Sequence, residues 1–156
     1  MKQQKGFTLI ELIIVIVVLG ILAVTAAPQF INFQSDARES TVKGAQASIQ
    51  GAMQLVYAKS LIDGSDAAAT GTVVTENDTI DIIYGYPAAE AASATTGGIA
   101  AAAGLGTDWA SSATGATPNV ISFTPGATVN ATCAVVYTEA TDASTPASVT
   151  VDTSGC

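Results

Sequence analysis

One stretch constrains this chain more than any other. From Phe7 to Ala27 the sequence reads "FTLIELIIVIVVLGILAVTAA", apolar throughout except for one carboxylate, Glu11. As a helix, these 21 residues span roughly 31 Å, about the thickness of a bilayer core. Lys2 and Lys5 precede the run, which places that end in the cytoplasm by the positive-inside rule. A bare charge inside a membrane costs on the order of 2.5–3.5 kcal/mol. Glu11 therefore either sits outside the lipid or has a partner.

A cleaved secretory signal peptide is one rival explanation, since "MKQQKG" is a basic leader and Val24-Thr25-Ala26 offers small residues for cleavage. Glu11 would then interrupt the apolar region without reason. The helical pattern also continues beyond Pro28, with Val42, Ala45, Ile49, Ala52/Met53 and Val56 on one face. Glu39 stands four residues before Lys43, a favourable helical pair. The helix is predicted to run from Phe7 to about Ile62 and to stop near Asp63-Gly64, where glycine can cap it. Gly20 and Pro28 make its weakest stretch: Pro28 has no N–H for the carbonyl of Val24 and crowds that turn. A gentle kink and a partial unwinding both fit.

The rest of the chain is small, polar and β-prone. Candidate strands are Gly71–Glu76, Thr79–Tyr84, Asn119–Thr124, Thr132–Thr138 and Ser148–Asp152. The last two, joined by "EATDASTPA", read as an antiparallel hairpin. Pro87 to Pro118 is rich in Ala, Gly, Ser and Thr and is expected to be an ordered but irregular surface loop, with a short helix over Ile99–Leu105 and Trp109 as its one large anchor. The fold class is α+β: a long N-terminal helix packed on a small antiparallel sheet.

Charge and composition exclude several functions. Net charge is −8, and no Lys or Arg follows Lys59 while ten acids do. Phosphate neutralisation needs a basic surface, so nucleic-acid binding is not expected. There is no His, which removes His-based zinc sites and triads. No nucleophile–base pair or cofactor loop is visible, so neither enzymatic activity nor a cofactor is expected. "TENDTID" (Thr75 to Asp81) reads as an acidic turn rather than a calcium loop, and no metal site is assigned. Asn77-Asp78-Thr79 and Asn130-Ala131-Thr132 match a glycosylation sequon, a weak signal in such a chain. Cys133 and Cys156 are an even pair in a chain with an export signal. That favours a disulfide over two free thiols. A bridge would close the C-terminal 24 residues, worth about 3 kcal/mol by loop closure.

The segment "KGFTLIELIIVIVVLGILAVTAAP" resembles the N-terminus of type IV pilins and their relatives. The pattern is a short basic leader ending in Gly, an aromatic residue, Thr, Leu, and Glu at the fifth position after the Gly. Gly6, Phe7, Thr8, Leu9 and Glu11 supply it. Gly20 and Pro28 fall where that family places helix-weakening residues. The resemblance implies cleavage between Gly6 and Phe7 by a prepilin peptidase, N-methylation of Phe7, and pairing of Glu11 with the terminal amine of a neighbouring subunit. It implies three parts: a leader (1–6), a transmembrane and filament-core helix (7–32), and a head (33–156). It further implies a precursor in the bacterial inner membrane, assembly by the pilus machinery into a homopolymeric extracellular fibre, and a role in adhesion, biofilm formation or motility. The alternative is a major pseudopilin of a type II secretion system, which shares the N-terminal pattern. The late cysteine pair argues for the pilin.

Overall fold

The computed structural model describes residues 6–76, 78–91 and 96–156, with only the backbone course at 27–32 and 96. The chain forms two units, Met1–Ala37 and Arg38–Cys156. Helix α1 (Leu9–Asp63) supplies residues to both.

In the first unit, α1 holds the apolar run. Leu9–Ala26 is long and apolar enough to cross a membrane, with mean hydropathy 3.0, and none of it is buried within the molecule. The helix is assigned without interruption through Gly20 and Pro28. Thr25 turns its hydroxyl back along the helix, donating to the carbonyls of Leu22 (3.0 Å) and Ile21 (3.4 Å). A back-bonding Thr of this kind competes for helix carbonyls and often accompanies a bend.

In the second unit, the expected stripe on α1 is the buried one. Val42, Ala45, Ile49, Ala52 and Val56 are all buried, with Val42 and Ile49 wholly so. Their 3–4-residue spacing puts them on one side of the helix, facing the apolar sides of the strands. Fully burying each Val or Ile contributes about 1.5–3 kcal/mol. The exposed side carries Lys43 paired with Glu39, and Lys59 paired with Asp63 at 2.6 Å. The helix ends where glycine permits it: Gly64 has φ 69°, in the left-handed region.

Two sheets follow. Strand β1 (Gly71–Val74) pairs antiparallel with β2 (Thr79–Ile83), which also pairs antiparallel with the short β3 (Tyr86–Pro87) and parallel with β4 (Thr96–Gly97). Helix α2 (Ile99–Ala103) leads to the second sheet, an antiparallel meander of β5 (Trp109–Ala113), β6 (Val120–Pro125), β7 (Ala134–Thr138) and β8 (Ser148–Asp152). The period-2 alternation of a half-buried strand shows plainly in β6, where Ile121 and Phe123 face inward. Together with Val135 and Tyr137 of β7, they pack against Val42, Ala45, Ile49 and Ala52 of α1. A second cluster joins Val56 to Val73, Ile80 and Ile82 of the first sheet.

The class read from the sequence, a long helix on a small antiparallel sheet, is the class observed. The stretch from Pro87 to Pro118 is less irregular than expected. It contains β4, α2 and β5, and Trp109 opens β5 rather than anchoring a loop. Ala and Ser have weak β propensity, yet "WASSA" is drawn into the sheet because β6 offers it an open edge. The β7–β8 hairpin is antiparallel as expected, and pairs Ala134 with Asp152 and Thr138 with Ser148.

Candidate functional site

The N-terminal site is built on the first turn of α1. Thr8 stands at the N-cap, and Glu11 is the third helical residue. The Thr8 backbone N–H and hydroxyl both donate to Glu11 Oε2 at 2.8 Å, and the Glu11 N–H donates to Thr8 Oγ1 at 3.3 Å. This reciprocal capping box satisfies helix-terminal donors that would otherwise lack partners. Within its own chain, Glu11 is therefore not a bare charge. A carboxylate in the first turn lies at the positive end of the helix dipole. The T-x-x-E spacing is a capping signal in the sequence, overlaid by the N-terminal pattern to which Thr8 also belongs.

Gly6 and Phe7 lie just before this turn, outside the helix, and both are exposed. Phe7 is 94% exposed, and a side chain placed at Gly6 would meet nothing within 4 Å. Among the described residues, the peptide bond between them is exposed on both sides. Glu11 sits one helical turn from Phe7, and Leu12, Ile13 and Ile16 beyond it are exposed. Gly20 lies on the helix with open space around it. Pro28 is within the helical span, and its side chain lies outside the described residues.

The C-terminal constellation is a disulfide between Cys133 and Cys156. Cys133, just before β7, is buried in the larger core cluster, and Cys156 packs against that cluster. The chain end is tied twice more: Gly155 N–H donates to Thr132 O at 2.8 Å, and Asn130 Nδ2 donates to Gly155 O at 3.3 Å. A side chain at Gly155 would collide with Thr132 Oγ1 at 1.9 Å, so this crossing needs glycine. Asn130 also accepts from the Thr132 N–H and hydroxyl. Its amide is thus engaged within the sequon that it heads. The other sequon asparagine, Asn77, lies outside the described residues.

At the acidic turn, Thr75 and Asp78 close on each other. The Thr75 hydroxyl donates to Asp78 O at 2.8 Å, and the Asp78 N–H donates to Thr75 Oγ1 at 3.1 Å. These bonds shape the β1–β2 connection. Among the described residues, no group of three or more His, Cys, Asp or Glu is arranged to hold a metal ion.

Comparison with known proteins bears on the same N-terminal residues. Residues 1–27 match the family described as the prokaryotic N-terminal methylation motif. The chain is 38% identical over 78 residues to the fimbrial protein EcpC of Eikenella corrodens, covering 49% of this chain and 51% of that one. It is 51% identical over 41 residues to the type IV major pilin protein PilA of Myxococcus xanthus, covering 26% and 19% respectively. It is also 41% identical over 54 residues to the type II secretion system core protein G of Pseudomonas aeruginosa, covering 35% and 38%. The chain spans about half or less of the length of each of these relatives. No solved structure matches it. Residues 1–27 thus carry a methylation motif, and over about half of its length or less the chain is similar to fimbrial and type IV pilin proteins.

Proposed function

We propose that this chain is the major structural subunit of a type IV pilus, built through its apolar N-terminal helix. The observation that carries the reading is the pairing of an unburied apolar helix with a carboxylate one turn from Phe7. Among the described residues, none covers Leu9–Ala26. It is suited first to lipid and then to the helices of other copies.

The reading assigns a role to each N-terminal residue. Residues 1–6 are a leader, 7–32 a membrane and filament-core helix, and 33–156 the head. A prepilin peptidase cuts between Gly6 and Phe7 and the new amine is methylated. Glu11 of one copy pairs with that amine on another as it leaves the inner membrane for the extracellular fibre. In low dielectric, an ion pair is strongly favoured over two isolated charges. Thr8 supports the docking by holding Oε2, so that the carboxylate stays oriented and offers Oε1 to its partner. Gly20 and Pro28, with the back-bonded Thr25 between them, are where the helix unwinds if the fibre stretches. The chain's work is structural, in adhesion, biofilm formation or motility, and the energy of assembly comes from the pilus machinery. Within the pilins, "QFINFQSDARESTVKG", "YGYP" and the late cysteines resemble the mannose-sensitive haemagglutinin pilins, and we place the chain nearest to them.

A second reading has one observation in its favour, the similarity to a core protein of type II secretion. The bridged C-terminus speaks for the pilin. Deleting the chain separates the two: loss of an abundant surface filament supports the pilus, and stalled export of periplasmic enzymes supports the pseudopilin. For the docking role itself, Glu11→Ala is expected to keep membrane insertion and cleavage at Gly6-Phe7 but to abolish fibres. Normal fibre yield from that variant rejects the role.

A further inference from the structure

Both cysteines of the chain are used in the Cys133–Cys156 bridge, so α1 and the first sheet are held together without a disulfide. Where they meet, Tyr57 of α1 stacks on Tyr86 of β3. The ring centroids are 4.4 Å apart and the planes 12° from parallel, so the two faces are in van der Waals contact. Both residues are half-buried, which leaves the stack an edge open to solvent.

The backbone holds both rings in place. Strands β2 and β3 are joined through Tyr84-Gly85, with Ile83 paired to Tyr86. Both loop residues have positive φ, 48° and 81°, as the tight hairpin turn demands. The loop is pressed onto α1. A side chain at Gly85 would stand 2.8 Å from Ser60 Oγ, 2.9 Å from Asp66 Cα and 3.0 Å from Tyr57 Cδ2. The Tyr84 N–H donates to Ala68 O at 2.9 Å, and the wholly buried Ser60 donates its hydroxyl to Tyr57 O at 2.7 Å. Tyr57 and Tyr86 thus sit on two fixed elements with their rings already face to face.

We propose that Tyr57 and Tyr86 are a modification site, at which a one-electron oxidant, of the kind a haem peroxidase makes from hydrogen peroxide, couples the two rings into a dityrosine staple between α1 and the first sheet. Each phenol gives one electron to the oxidant and its hydroxyl proton to water. The two phenoxyl radicals then pair their odd electrons in one new carbon–carbon bond, between ring carbons next to the hydroxyl-bearing carbons. Each of those carbons loses its hydrogen as a proton, and each phenol oxygen regains one from water. The balance is two hydrogens lost from the chain and two equivalents of oxidant reduced.

The fold selects this pair among the four tyrosines of the chain. Tyr137 is wholly buried with its hydroxyl on the Pro87 carbonyl, which withholds it from an oxidant in solvent. Tyr84 is half-buried in the turn itself. Burial first, then the Tyr57 phenol, hold the Tyr86 phenol above its ordinary value, so the two hydroxyl groups lie within electrostatic reach of each other. Rings held in contact couple in a first-order step, without the entropy cost of an encounter between two copies.

The test oxidises the full-length chain in detergent micelles with photogenerated tris(bipyridyl)ruthenium(III), then maps it with trypsin. No Lys or Arg follows Lys59, so cleavage there separates Tyr57 from Tyr84, Tyr86 and Tyr137. The monomer is expected to yield the two peptides rejoined, lighter than their sum by two hydrogens, with fragmentation placing the link on Tyr57 and Tyr86. Tyr57→Phe and Tyr86→Phe should each lose the rejoined peptide, while Tyr84→Phe should keep it. Unfolding the chain in urea before oxidation should lower its yield at least about tenfold, because the orientation is lost. Should either Phe variant fail to fold, the fragmentation of the wild-type link and the urea comparison still decide. An oxidised monomer without the rejoined peptide overturns the proposal, as does a link through Tyr84 or Tyr137, dityrosine found only in dimers, or a yield that survives in urea.

Discussion

Opening the Cys133–Cys156 bridge is expected to cost the head a large share of its stability, and the amount follows from chain length. The two cysteines are 23 positions apart. Closing a loop of about 24 residues removes unfolded-chain entropy worth about 3.4 kcal/mol at 25 °C. Typical domains are stable by only about 5–15 kcal/mol. The native contacts around the bridge, Gly155 to Thr132 and Asn130 to Gly155, remain when it is reduced, so the loss is mainly in the unfolded state. The assay is urea unfolding of the full-length chain in a non-denaturing detergent, oxidised against reduced, followed by Trp109. That residue is the chain's single tryptophan and packs against the larger core cluster. With m values of about 1–3 kcal/mol/M, the midpoint should fall by about 1–3 M on reduction. Cys133→Ala with Cys156→Ala should unfold at or below the reduced midpoint, since Cys133 is buried and its removal also leaves a void. Reductant should leave that double variant unchanged. A midpoint that shifts by less than about 0.3 M on reduction would refute the loop-closure reasoning.

Three other expectations rest on single contacts. Tyr137→Phe keeps the ring but leaves the buried Pro87 carbonyl without its donor, and should cost about 1–3 kcal/mol in the same unfolding assay; an unchanged midpoint contradicts it. Asp142 accepts the Ser144 N–H, then the Thr145 hydroxyl, and these bonds hold its carboxyl below the usual aspartate value. Its contribution is therefore present above that value and lost as pH falls through the lower folded one. The stability gap between wild type and Asp142→Ala should shrink below about pH 4, and a gap independent of pH contradicts this. Thr8→Ala removes both hydroxyl bonds of the cap and leaves the Thr8 N–H bond to Glu11, and losing an N-cap hydroxyl typically costs a helix about 0.5–2 kcal/mol. Fibre yield should fall in Thr8→Ala and recover in Thr8→Ser, and equal yields from the two contradict a supporting role for the hydroxyl.

Much of this was legible in the residues, and the exceptions have physical causes. The stripe from Val42 to Val56 was readable because helical period and burial coincide there. The β7–β8 hairpin was readable because β-branched and aromatic runs flank a turn-rich loop. Strand β5 was not, since Ala and Ser carry almost no propensity and are placed by their neighbour β6. The division into two sheets was hidden for a similar reason: β3 and β4 are two residues each, too short to leave a period. At the N-terminus, Glu11 stood out because charge is rare in an apolar helix, whereas the Thr8 cap was masked by its neighbours. The bonds from the Ala89 and Asn119 N–H groups to the Glu139 carboxylate join residues 50 and 20 positions apart, and no local pattern marks such a meeting.

The most direct test of the central claim is the mass of the mature N-terminus. The account predicts that chains recovered from the cell surface begin at Phe7 and carry a methyl group on its amine, with Met1 to Gly6 absent. Chains that begin near Ala27, having lost the apolar helix, would contradict it, because no subunit without Leu9–Ala26 could form the core of a fibre.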